Sequence, residues 1–381
     1  MPALSTDEQS LDSTARRLAE TVLLPCAAQV DQTRQYPAEG LRALADEGLL
    51  GLLVPAQYGG RGGTLTDLAL VSEALGWGCA STAMCFLMHS CACALIAAKA
   101  TPEQGERWLR PAASGEARAT LAFSERLTGA HFYNPEIAAT RSNGAFSLSG
   151  RKSFVTSGGH AQLYPVLVKA SGDPGLDILV LTPDLPGVNF DGSWDGVGMA
   201  GNSSIGMVLS DVAVPAANLL GSQGDGMELV FNVVAPTFLI GLAAVNIGIA
   251  QAALDGAVGH AKERHYADGT DLAGLSVIQD YLAEMSITTQ SARQLVREAA
   301  RSASAGEEAA LPLVMQAKVA ATEAAAAVTE QAMRVGGGIA YSRGLALERH
   351  WRDAHAGAVM APTNEVLKGW LGKILAGLPL F

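Results

Sequence analysis

The sequence predicts a mainly α protein with a central β domain, and three observations carry that prediction. Apolar residues recur at helical spacing up to about residue 116. From 117 to 224 the period changes to short alternating runs separated by turn residues. From 225 to 381 the helical spacing returns and stays. The expected layout is an N-terminal helical domain (1–116), a middle antiparallel β barrel or sandwich (117–224) and a C-terminal bundle of four or five long helices (225–381).

The elements follow in order. "STDEQSLDSTARRLAETVLLPCAAQV" opens on a Ser/Thr/Asp cap and carries a helical apolar stripe. "EGLRALADEGLL" is a second short helix, and "VPAQYGGRGGTL" is a glycine-rich loop. Residues 66–100 read as helix with a break near Gly76–Ser81, and Thr101 caps a helix with Pro102 at its first position. "RATLAFSE", "EIAATRSNGAFSLSGRKSFVTSG", "LYPVLVKA", "DILVLTPD" and "GMVLSDVAVP" are strand runs, and Asn143-Gly144 between two of them signals a hairpin. The later helices fall at about 226–268, 272–304, 307–334, 345–359 and 364–376.

Composition narrows the function classes. The 381-residue chain is 49% hydrophobic and only 17% charged, so part of its apolar surface is expected to meet other subunits. A net charge of -11 argues against nucleic acid as the main partner. Five cysteines without framework spacing suggest reduced thiols and a cytoplasmic location. Cys85, His89 and Cys93 share one helix face, yet no fourth ligand stands at a zinc spacing, so no metal is expected and the face reads as core. The polar start is not a signal peptide. Val233–Leu254 is long and uncharged, but Pro236, Asn246 and Gln251 make it a buried bundle helix rather than a membrane span.

No phosphate-binding glycine loop of the Walker or dinucleotide type is present. "GGGIAYSRG" (Gly336–Gly344) sits between two expected helices, as a C-cap or as backbone that lets a ligand approach. "SFVTSGG" (Ser153–Gly159) is a strand running into a glycine turn, with Phe154, Thr156 and Ser157 along its edge. Glu125 and His131, in "LAFSERLTGAHF", are candidate acid–base groups.

The order "VPAQYGG", "AFSE", "KSFVTSGG", "SDVAVPAANLLG", "HAKER", "RVGGGIAYSRGLALERHWRDA", "PTNE" resembles the acyl-CoA dehydrogenase family of flavoproteins over nearly the whole chain. The resemblance implies a C-terminal four-helix bundle, bound FAD and a homo-oligomer, tetramer or dimer. It implies an acyl substrate on CoA or a carrier protein, and an electron-transfer flavoprotein, a flavin reductase or oxygen as redox partner. Ser124, next to Phe123, stands where a family hydroxyl bonds the flavin ring. Phe154 replaces a tryptophan covering that ring, and Thr156, followed by Ser157, keeps the hydroxyl near flavin N5. Arg264 matches the arginine that reaches the FAD pyrophosphate of a neighbouring subunit. Gly337 and Gly338 match the glycine pair at the adenosine end, with Arg334 in place of a common glutamine. Thr363 and Glu365 match positions that touch FAD.

The departures concern chemistry. Where the family often reads Tyr-Glu-Gly-Thr, this chain reads Met360-Ala361-Pro362-Thr363, so Ala361 occupies the place of the usual base. Phe238 occupies the alternative base position, and Leu239 replaces an arginine near the acyl end. Phe238, Leu239, Met360 and Ala361 are thus the expected substrate pocket. The leading expectation is desaturation of an acyl thioester with a non-standard base. The alternative is a flavin-dependent monooxygenase on the same fold.

Overall fold

The computed structural model describes residues 5–142, 144–172 and 175–380, so Asn143 of the hairpin signal lies outside the described residues. Helix α1 (Thr6–Leu18) begins at a capping box in which Ser5 and Glu8 each accept the other's backbone N–H. A π-helical segment, Ala19–Leu23, leads into α2 (Leu24–Thr33), and α3 (Ala38–Asp46) follows. The glycine loop then delivers the chain to α4 (Leu65–Gly78), capped by Thr64 with Asp67. The break expected near Gly76–Ser81 falls at Cys79, whose extended backbone (φ -157, ψ 110) separates α4 from α5 (Ala80–Lys99). Two short helices, α6 (Pro102–Gln104) and α7 (Arg110–Ser114), close this part.

The middle part has strands β1 (Thr140–Ser142), β2 (Ala145–Val155), β3 (Tyr164–Lys169), β4 (Leu176–Leu181), β5 (Val188–Asp191) and β6 (Ile205–Pro215). One sheet has the order β1-β2-β6-β5 and a second pairs β3 with β4, every ladder antiparallel. Both sheets bury side chains in one cluster, including Phe146, Leu148, Val166, Leu179 and Met207, so the arrangement is a sandwich. The "RATLAFSE" run departs from expectation. It pairs with β3 and the residue before it through isolated parallel bridges, Ala122 to Val166 and Ala119 to Leu163, rather than as a strand. Its side chains are instead consumed by packing between the helical and β parts.

The chain returns to helix with α8 (Gly226–Leu229), a π-helical segment Val230–Val234, and α9 (Ala235–Glu263). Helices α10 (Ser276–Ser304), α11 (Ala310–Tyr341), α12 (Leu347–Ala354), α13 (Ala356–Val359) and α14 (Asn364–Leu375) complete the bundle. The regular run of α11 ends at Gly336, close to the expected 334: Gly337 is non-helical (φ 57, ψ -144), a conformation that glycine adopts without a Cβ clash, and a short further helical stretch reaches Tyr341.

Helix α9 is the axis of the molecule. It packs on α4 through glycine: a Cβ at Gly76 would lie 2.4 Å from the Val245 carbonyl, and one at Gly248 would lie 2.2 Å from the Glu73 carbonyl. Ala80–Lys99 and Gly226–Glu263 are apolar enough to cross a membrane by length and composition, yet 83% of the most apolar window of each is buried inside the protein. His89 shows the same core logic. Its Nδ1 accepts from Ala119 N (3.0 Å) and its Nε2 lies 3.0 Å from the Leu50 carbonyl, so the ring ties α5 to the β part. Burial lowers its pKa to about 4.

Candidate active site

The segment with Ser124 and the end of β2 are joined by a buried ion pair. Lys152 Nζ donates to Glu125 Oε1 (2.6 Å), to the Leu167 carbonyl (2.5 Å) and to the Phe123 carbonyl (3.3 Å). Glu125 Oε2 accepts from Glu136 N (2.7 Å) and Ile137 N (3.3 Å). Burial pulls the Lys152 ammonium down to about 8, opposed by the Glu125 charge. Glu125 is therefore corrected from acid–base candidate to structural carboxylate, because its oxygens are spent on internal donors. Phe123 is buried beside it.

Above this pair, Ser153 N donates to the Ser124 carbonyl (2.8 Å), which brings Ser124 beside Phe154. Phe154 sits at φ 53 and is 70% exposed. Thr156 is buried, and its hydroxyl meets that of Ser204 at 2.9 Å. Ser157, at φ 59, is corrected: its hydroxyl accepts from Tyr36 OH (3.1 Å) and is turned inward. The backbone N–H groups of Ser157 and Gly158 donate to the carbonyls of Asn202 and Ser203, and the Tyr36 ring stacks on His160 at 4.1 Å. The turn is thus clamped from both sides.

Residues not singled out from sequence hold this face. Trp194 meets Phe154 edge-on at 6.4 Å and donates from Nε1 to the Met199 carbonyl (3.0 Å). Met199 N donates to Asp353 Oδ1 (2.6 Å), and burial raises that carboxyl to about 6. Arg352 grips Asp31 with two bonds of 2.8 and 2.6 Å. In the sequence, the Arg352-Asp353 doublet is the available sign of these roles.

The segment after α13 lies on the bundle. Met360 and Ala361 are half-buried, Ala361–Pro362 is a cis peptide, and Thr363 caps α14 by accepting from Val366 N (3.4 Å). Underneath, the fully buried Lys318 donates to the Pro362 carbonyl (3.1 Å) and Asn364 Oδ1 (2.8 Å). Burial lowers its pKa to about 8. Lys318 was missed because it sits in an alanine-rich helix; a lone lysine amid Ala and Val was the available sign. Phe238 is half-buried, whereas Leu239 is corrected to a core residue, 2% exposed among bundle side chains. Tyr133, Phe231 and Trp370 form an aromatic cluster, with ring centroids 5.3 to 6.2 Å apart. Tyr133 OH lies 2.9 Å from Nδ1 of the exposed His131.

The remaining expected cofactor residues lie on the bundle. Arg264, just after α9, is exposed over the Tyr266 ring at 5.5 Å. Arg334 is exposed, 3.7 Å from Glu330. Gly337 and Gly338 are exposed with open space where a Cβ would stand. Glu365 is exposed in the first turn of α14, where its own backbone N–H and Thr363 hold its carboxyl below the usual range. Among the described residues no hydrogen bond links these groups to Ser124, Phe154 or Thr156.

Comparison with known proteins agrees with this geometry. The acyl-CoA dehydrogenase N-terminal domain matches residues 5–116, its middle domain 120–212 and its C-terminal domain 236–376. The mitochondrial short-chain specific acyl-CoA dehydrogenase of Bos taurus is 33% identical over 95% of this chain and 88% of its own. The acryloyl-CoA reductase (NADH) of Anaerotignum propionicum is 32% identical over 96% of this chain and 93% of its own. The solved butyryl-CoA dehydrogenase of Megasphaera elsdenii superposes with a TM-score of 0.93 at 29% identity, covering 99% of this chain and all of that one.

Fold and site together define an FAD-dependent oxidoreductase. The chain belongs to the acyl-CoA dehydrogenase family. FAD fits the residues present: an exposed aromatic ring stands beside two hydroxyls at the strand ends, a flat apolar platform with hydrogen-bonding edges.

Proposed function

We propose that this enzyme takes two hydrogens from the acyl group of a small thioester, borne by CoA or a carrier protein, without the usual carboxylate base. The observation that carries the reading is the half-buried methyl of Ala361 in the 360–363 segment, where the family resemblance puts a carboxylate. Glu125 is committed to Lys152, which leaves His131 with Tyr133 as the ionisable couple beside the aromatic cluster.

FAD, when bound, supplies the two-electron acceptor. Ser124 and Thr156 would hold it by hydrogen bonds, with Phe123 and Phe154 as apolar contacts. Arg264 of a neighbouring copy would hold the pyrophosphate, because a guanidinium makes paired, charge-assisted bonds to phosphate oxygens. Arg334, Gly337, Gly338, Thr363 and Glu365 frame the rest, so the working form is a homo-oligomer. Phe231 and Phe238 lie seven residues apart on one helix face and, with Met360, exclude water from the acyl group. The Tyr133 oxygen accepts the substrate proton as its phenolic proton passes to His131 Nδ1. An electron-transfer flavoprotein takes the electrons onward.

The test is anaerobic mixing of the FAD-loaded protein with short acyl thioesters on CoA and on a carrier protein. Bleaching of the yellow colour with formation of the unsaturated thioester is expected. No bleaching, together with oxygen-dependent hydroxylation once a flavin reductase is supplied, would establish the monooxygenase instead.

A further inference from the structure

A cleft of about 470 Å³ opens between α1, α4, α9 and α10, away from the residues assigned above. Its nearest point on α9, Gln251, is thirteen residues from Phe238, roughly 20 Å along the helix. A closed polar network forms its floor. Arg293 Nε donates to Glu73 Oε1 (2.8 Å), and Arg293 Nη2 donates to Gln251 Oε1 (2.8 Å). Gln251 Nε2 and Trp77 Nε1 donate to the two oxygens of Asp255 at 2.8 and 2.9 Å. At the rim, Arg16 is held by Asp12 (2.8 Å).

Two lining groups are left over. Arg297 makes no hydrogen bond or ion pair among the described residues, and its Nε is buried without an acceptor. Glu20 likewise has no hydrogen-bonded or ion-paired partner among the described residues, and its charge raises the pKa of Arg16 from a distance. A guanidinium keeps its charge and offers five donors, and a buried donor left unmet is destabilising. The lining arginines and carboxylates balance three against three, so the cleft does not attract anions in general. It suits a ligand carrying both signs, and its volume lies within the range of small-molecule sites.

We propose that this cleft binds a free α-amino acid, carboxylate on Arg297 and ammonium toward Glu20 and Asp255, with the side chain against Trp77. The oligomeric holoenzyme is titrated calorimetrically with each proteinogenic amino acid up to about 10 mM, a range in which millimolar sites saturate. The expected result is saturable binding of at least one amino acid, weakened tenfold or more in Arg297→Ala and in Glu20→Gln. The amide of that amino acid, and its analogue lacking the amine, should bind at least tenfold more weakly. FAD content and thioester bleaching should be unchanged in Arg297→Ala, which separates this site from the proposed function. Absence of saturable binding, or binding that ignores Arg297, overturns the proposal. A change of oligomeric mass in Arg297→Ala also overturns it, since the cleft would then be a subunit contact.

Discussion

Lys152 and Glu125 lie 2.6 Å apart with side chains 0% and 6% exposed, and each is also satisfied by backbone groups. The pair fixes the segment bearing Ser124 against β2, the strand that carries Phe154. One position of the proposed cofactor face is thereby set by an ion pair that itself stays out of solvent.

Removing half of that pair leaves an uncompensated buried charge. Lys152→Met is expected to cost about 3–5 kcal/mol. Urea unfolding should show the loss, and FAD retention should fall with it. A variant as stable as the parent, with full FAD content, would contradict the account.

His89 contributes to the acid limb of stability, alongside the buried His350. Its folded-state pKa is about 4, below the ordinary value of 6.5. Between those values the unfolded chain binds more protons, so stability is fully present above about pH 6.5 and is lost on acidification toward pH 4. Denaturation midpoints of His89→Gln measured across that window should fall less steeply than those of the parent.

Lys318 gives the opposite window. Its folded-state pKa of about 8 lies below the ordinary 10.5, so stability should rise as pH climbs between them. Lys318→Met should show a smaller rise, the part due to Lys152 remaining. It should also lose about 1–3 kcal/mol near neutrality, because the Pro362 carbonyl is left without its donor.

Arg264→Ala is expected to weaken FAD binding about tenfold or more through the lost charge-assisted contact. Equilibrium dialysis reads this directly. Unchanged affinity removes Arg264 from the cofactor site.

Ala361→Glu restores a carboxylate to the 360–363 segment. Faster bleaching by a short acyl-CoA, with a pH profile gaining a carboxylate limb, is the expected outcome. An inert variant that still binds FAD would mean that the pocket is shaped for a different substrate pose.

Much of this was legible in sequence because it is local. The shift of period at about 117 and again at 225 marks the α-β-α order, since helix and strand impose different spacings on apolar residues. Ser5, Thr101 and Thr363 act as caps where their side chains can reach a backbone N–H three residues on. Other features depended on partners distant in the chain. Glu125 looked like an acid–base group until Lys152, 27 residues away, took its oxygen. Leu239 looked like pocket lining until the bundle enclosed it, and Ser157 looked outward until Tyr36 bonded it from 121 residues away. Lys318 and Asp353 acquire their roles only when another segment lays a carbonyl or an amide against them. Capping and periodicity are written in neighbours; burial and the assignment of charges are settled only when remote segments meet and water is excluded between them.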